Sequence, residues 1–293
     1  MANRRQSKVA DGAQRVVAKV WEIRRVLVLV FAYLFLFVWL FAEGRDADIR
    51  PSEILAIPND PLWEKPDSEH WFGTTGDGTD LFELTRIAMA TTVAISVVIS
   101  GLGVGLTFLY VMMFSFDPGE RRFTLLKRIG RVVRLLPAFL APVILAGGAG
   151  GGLLVTGLTL ILLIALHLAP TVAKWFEEGE GGQGIEAGYV LGLTRPEIMT
   201  NRVVPVVLRR LIGVFACLIP IITLTEMSLS FLGFAGDRLS CGDLVAHGQD
   251  VIIEAPWMAV APGILATTVV VILSLLGWLS SAALKTGRLP RWI

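Results

Sequence analysis

Long uncharged stretches alternate with short charged ones along this chain. Residues 26–42, 87–116, 135–173 and 255–284 contain no Asp, Glu, Lys or Arg, and 211–235 contains only Glu226. Such runs are apolar on every helical face, as a helix in lipid must be. The 17 residues of 26–42 lie near the lower limit for a membrane span, and the runs of 30 at 87–116 and 255–284 are ample. The 39 residues of 135–173 would make a helix of roughly 58 Å at ~1.5 Å per residue, against a hydrocarbon core of ~30 Å. That run is therefore two spans, with the glycine-rich 147–152 as the turn between them. The pattern predicts an all-α protein with six transmembrane helices.

Composition agrees. A hydrophobic content of 54%, 17% charged residues and a mean hydropathy of +0.67 over 293 residues exclude a soluble protein of this size. The net charge of +1 conceals a sidedness: of 26 basic residues, seven precede residue 26, six lie in 115–134, five in 174–210 and three follow 284. If six spans alternate, those 21 fall on one side, which the positive-inside bias makes the cytoplasm, with both termini there. The chain then divides into a basic cytoplasmic segment 1–25, a first span 26–42, an acidic external loop 43–85, a five-helix core 86–285 containing a cytoplasmic loop 174–210, and a cytoplasmic tail 286–293. Residues 39–42, Trp-Leu-Phe-Ala, lack the small-x-small pattern of a signal cleavage site, so the first span is expected to be retained. The link 117–134 reads as an interfacial helix, its basic residues snorkelling to phosphates, and not as a nucleic-acid surface. Two cysteines, Cys217 in a span and Cys241 in an outer loop, suggest neither a disulfide framework nor a metal site.

The most structured polar stretch is 186–205, EAGYVLGLTRPEIMTNRVVP. It reads as helix, turn and helix. Gly192 suits the left-handed position that ends the first helix. Thr194 and Glu197 form a capping box at the start of the second. Pro196 falls where a missing N–H costs nothing, and Pro205 is expected to kink or end the second helix. A loop that only reconnected two spans would not need this definition, so the segment is a candidate contact surface. The spacing of Glu186, Ala187, Gly192, Ile198 and Pro205 resembles the cytoplasmic Glu-Ala-Ala loop of binding-protein-dependent ABC importers. Its departures are Gly188, Tyr189 and Arg202. The lead-in 174–186, KWFEEGEGGQGIE, is shorter than in that family, and its glycines predict flexibility.

Two further segments resemble the dipeptide, oligopeptide and nickel permeases of that class. In 70–84, HWFGTTGDGTDLFEL, the residues His70, Gly73, Thr74, Gly78 and Asp80 match an external signature, with Thr75 and Thr79 where the family carries Asp and Arg. In 226–248, EMSLSFLGFAGDRLSCGDLVAHG, the residues Glu226, Ser228, Leu229, Ser230, Phe231, Leu232 and Gly233 match, followed by Gly242, Leu244 and Gly248. The resemblance covers roughly residues 70–285. It implies a type I importer permease fold in the bacterial cytoplasmic membrane. It implies a second homologous permease, two ATPase subunits that bind ATP-Mg, and an extracytoplasmic solute-binding protein as partners. The docking loop would then act through Glu186, Ala187, Gly192, Thr194, Glu197, Ile198 and Pro205.

Ionisable groups inside the spans are scarce. Glu226 lies 15 residues into its predicted span, about 22 Å from the inner end, where a carboxylate is costly and must face a cavity or a partner. It is a candidate for the solute path or a gate, with Ser228 and Ser230 beside it, or simply a carboxylate hydrogen-bonded to those serines or to a neighbouring helix. His167 reads as a histidine bonded to a backbone carbonyl. No nucleophile motif, HExxH pair or Walker sequence occurs, so no catalytic residue, metal or chain-bound cofactor is expected. Short peptides are the expected solute, with nickel or another small solute as the alternative. A gradient-driven transporter or a non-transporting membrane scaffold are the rival functions; neither gives the 186–205 segment a purpose.

Overall fold

The computed structural model describes residue 24 and residues 27–41, 63–115, 140–148, 150–180, 190, 192–234, 236 and 238–286. The expectations for 1–23, 43–62, 117–134, 181–189 (with Glu186 and Ala187) and 287–293 lie outside the described residues. The described chain is helical. In order it forms α1 (Leu27–Phe41), α2 (Leu81–Ser115), α3 (Leu140–Gly148) and α4 (Leu153–Glu180). A composite α5 follows, in which Arg195–Ile198 passes through a π-helical turn, Met199–Val203, into Val204–Phe231. Helices α6 (Cys241–Asp250) and α7 (Trp257–Thr286) complete it. The isolated bridge Thr74–Asp80 is extended pairing outside the helices.

Four of these helices are long and apolar enough to cross a membrane: Leu81–Met113, Leu153–Gly179, Pro196–Phe231 and Trp257–Leu284. Helix α1 is a shorter apolar helix, and α3 has nine described residues, so four of the six expected spans correspond to helices of sufficient length and apolarity. The turn between α3 and α4 falls at Gly150, Gly151 and Gly152, where the sequence places it.

Helix α2 is the centre of the bundle: 56% of its most apolar stretch is buried, against 28% for α4. Its buried side carries small polar residues, Thr85, Thr92, Ser96, Ser100 and Thr107, among apolar ones such as Leu84, Met89 and Val93. The hydroxyls of Thr85, Ser96 and Thr107 donate to the carbonyls of Leu81, Thr92 and Gly103 one turn back, at 2.6, 2.8 and 2.7 Å. Their polarity is thus satisfied within the helix, and their small size lets neighbours approach, which is how helices associate in lipid. Helices α5 and α7 meet more closely still. A Cβ on Gly277 would stand 2.5 Å from the Ala216 carbonyl oxygen, so only glycine fits at that crossing.

Three expectations are corrected. The segment expected as an outer loop around Cys241 contains α6. Ser240 caps it, its hydroxyl accepting from the Asp243 N–H at 3.2 Å, and Cys241 and Leu244 are buried. A Cβ on Gly242 would collide with the Met227 carbonyl, and one on Gly248 would lie 2.5 Å from the Ala259 nitrogen. The glycine spacing here therefore records close packing of a short helix. Second, the lead-in expected to be flexible is helical as far as Glu180. Glu178 holds it to α5 by accepting from Arg210 at 3.2 Å, and the Arg210 guanidinium lies over the Trp175 ring, 5.6 Å from its centre. Third, of the two outcomes expected at Pro205, a kink or an end, the helix does not end there. The Val204 N–H reaches back to the Met199 carbonyl, a π-type bond, and the wider turn accommodates a proline that can donate nothing to the turn before it.

Candidate functional site

At one end of the bundle, which we call the docking end, the sequence from Gly192 builds a capped helix start. Gly192 has φ +79°, the left-handed region expected of it. The Glu197 carboxylate accepts from both the Thr194 N–H and the Thr194 hydroxyl, each at 2.8 Å. The Thr194 carbonyl in turn accepts the Ile198 N–H at 3.1 Å, the first turn of the helix. Ile198, Met199 and Val203 point inward, buried against Val111 of α2 and Val172, Ala173 and Phe176 of α4. Val190 and Leu193 remain exposed, Val190 at 86%. The segment is thus anchored by one apolar face and offers other apolar side chains outward.

The opposite end, the loop end, gathers the second group of residues singled out from the sequence. His70 Nδ1 lies 3.0 Å from Asp80 Oδ2. The other Asp80 oxygen caps α2, accepting from the N–H groups of Phe82 and Glu83 at 2.7 and 3.2 Å. Thr74 is buried, its hydroxyl accepting from the Glu64 N–H at 2.8 Å and its carbonyl from Trp257 Nε1 at 3.3 Å. The loop is thereby fastened to the starts of both α2 and α7. Thr75 and Thr79, which replace charged family residues, both bond to Asp77. The hydrogen bond to Asp80 raises the His70 pKa above its ordinary 6.5, outweighing the opposing effect of desolvation.

Glu226 sits near this end, five residues before α5 finishes at Phe231, and is 3% exposed. Its Oε1 accepts from the Ser230 hydroxyl at 2.9 Å and pairs with the Arg238 guanidinium. Ser228 is not part of this group, since its hydroxyl donates to the Leu224 carbonyl at 2.8 Å. Arg238 is the residue that sequence reasoning missed, counted there only as one more basic residue. A deeply placed carboxylate needs a counter-charge, and Arg238 is the nearest cation downstream in sequence. His167 bonds the Leu163 carbonyl through Nδ1 at 2.9 Å and lines an apolar cleft between α4 and α5. Among the described residues no group of three or more His, Cys, Asp or Glu is placed to hold a metal ion.

Four long apolar helices with ordered polar segments at their ends are the architecture of a multi-pass membrane protein. No family model matches the chain. It is 25% identical over 269 residues to the oligopeptide transport system permease protein OppC of Mycobacterium tuberculosis, covering 89% of this chain and 90% of that one. It is also 25% identical over 259 residues to the OppC protein of Haemophilus influenzae, covering 86% and 80%, and 22% identical over 199 residues to that of Bacillus subtilis, covering 67% and 65%. Over most of its length the chain is thus similar to permease proteins of oligopeptide transport systems.

Proposed function

We propose that this chain is one of two permease subunits of an ATP-driven importer for short peptides in the bacterial cytoplasmic membrane. In this reading α1 and α3 complete a set of six spans, both termini are cytoplasmic, and the docking end faces the cytoplasm. Two ATPase subunits bind ATP-Mg and engage 186–205, and an extracytoplasmic binding protein delivers solute to the loop end. The observation that carries the proposal is the continuity of α5. Its exposed approach at Leu193 and its buried residues Ile198 and Met199 belong to one segment that runs unbroken into a membrane span. Force applied at the docking end therefore moves the span itself, which is what alternating access requires. Peptides are preferred because the relatives above are peptide-transport permeases by name.

The test is uptake of a labelled tripeptide by cells carrying the full system. Gly192→Asp and Glu186→Lys should each reduce uptake about tenfold or more, a coupling loss of about 1.4 kcal/mol, with the chain at its normal level. Uptake should survive an uncoupler and fail on ATP depletion. Unchanged uptake in both variants would overturn the docking assignment, and sensitivity to the uncoupler alone would indicate a gradient-driven transporter.

A further inference from the structure

The seam between α4 and α5 is open along part of its length and closed at the loop end. The open part is a cleft of about 220 Å³ lined by Leu160, Ile164 and His167 from α4 and by Leu218, Ile222 and Thr225 from α5. Toward the loop end the seam narrows to a void of about 10 Å³, room for about one water molecule. Thr156, Glu226, Ser230 and Arg238 border that void, and Leu160 lines both spaces. From outside the two helices, Ile95 and Ile99 of α2 and Phe234 and Arg238 of the 232–240 connection also border the void, and Arg238 is the charged group among them. Its side chain is 15% exposed and paired with Glu226, whose second oxygen, Oε2, is buried without a hydrogen-bond partner.

Part of this connection is tied to α4. Its Phe234 carbonyl accepts the Gly152 N–H at 3.3 Å, and a Cβ on Gly236 would lie 3.3 Å from the Gly152 Cα, so it rests on the turn that begins α4. Gly233 and Gly236, at φ +84° and +75°, bracket the segment that leads to Arg238. A buried ion pair is a poor source of net stability, because desolvation of both charges offsets their attraction. Such a pair suits a contact that opens and re-forms.

We propose that Arg238 is a positioning residue that closes the α4–α5 seam. With its guanidinium on Glu226 the cleft is shut off from the loop end; with it withdrawn, cleft and loop end join in one passage. The purpose of that passage rests on the transport reading above, whereas its closure by Arg238 does not.

The test uses the full chain in sided membrane vesicles, with Cys217→Ser and Cys241→Ala removing the native thiols, and a membrane-impermeant maleimide as probe. Asp77→Cys, on the exposed loop, identifies vesicles whose loop end faces the reagent. Ile222→Cys reports the cleft and Val207→Cys, buried at the docking end, reports general unfolding. Arg238→Gln should speed labelling of Ile222→Cys about tenfold or more, and Arg238→Lys should return it to within about twofold of the parent rate, with Val207→Cys protected throughout. An unchanged rate in Arg238→Gln, a Lys variant as fast as the Gln variant, or parallel exposure of Val207→Cys would each overturn the proposal. Peptide uptake by the same variants is scored separately. Absence of ATP-dependent uptake in the parent sinks the importer reading and leaves the labelling result standing.

Discussion

At the docking end, Phe176, Ile198, Met199, Val203 and Val207 form one apolar cluster with α2 and α4. At the loop end an apolar cluster of Leu81, Val251, Ala255 and Met258 is joined by directional contacts: His70 with Asp80, Thr74 with Glu64 and Trp257, and Glu226 with Ser230 and Arg238. The first kind of contact is non-directional and tolerates small sliding movements. The second depends on direction and charge, so it is either made or broken. A permease needs both: a surface that passes motion on continuously, and a closure with two distinct states.

The sharpest way to break this comparison is at Glu226. Glu226→Ala leaves a buried guanidinium without its counter-charge and should destabilise the chain by about 3–5 kcal/mol, whereas replacing both partners, Glu226→Met with Arg238→Met, should recover most of that loss. Thermal unfolding in mild detergent reads both. If the double variant is no better than the single one, the loop end is not held by pairing. At the docking end, Glu197→Ala removes the carboxylate that accepts from Thr194, so the smaller effect expected there is local fraying of the helix start. Hydrogen exchange should show this as faster opening of 194–200, with the loop end unaffected.

The smallest effect is on pH. Because the folded-state pKa of His70 is raised, its bond to Asp80 contributes stability that is fully present below the unfolded value of 6.5. That contribution is lost as pH rises through the higher folded value. Hydrogen exchange of 70–84 should therefore quicken as pH rises through this range, after correction for the intrinsic rate. His70→Gln should remove the dependence. A parent chain with no such dependence would show that the clasp stands without the charge on His70.

Much of this architecture was legible in the sequence for a simple reason. Lipid demands long uncharged helices, and an uncharged run is visible without any knowledge of neighbours. The turn at 150–152, the left-handed Gly192 and the Thr194–Glu197 contact were likewise local features. What escaped was set by contacts between distant segments. Helix α6 is short, and its Gly242 and Gly248 acquire meaning only against the backbone of Met227 and of Met258 and Ala259. The described part of the lead-in is helical as far as Glu180, and Arg210 and Trp175, far apart in sequence, meet there. Arg238 has no local motif at all, and its role is visible only once Glu226 is seen to be buried beside it.

The π turn at Met199–Val203 has a consequence for phase. An α-helix advances about 100° per residue, so one residue accommodated in a wider turn offsets the helical faces on either side of it. Ile198 on one side of that turn and Val207 and Leu211 on the other lie in one buried cluster. Deleting one residue between Met199 and Val203 would take away the wider turn that accommodates Pro205. It would also turn the docking end by about a quarter of a revolution, aiming it away from whatever it meets.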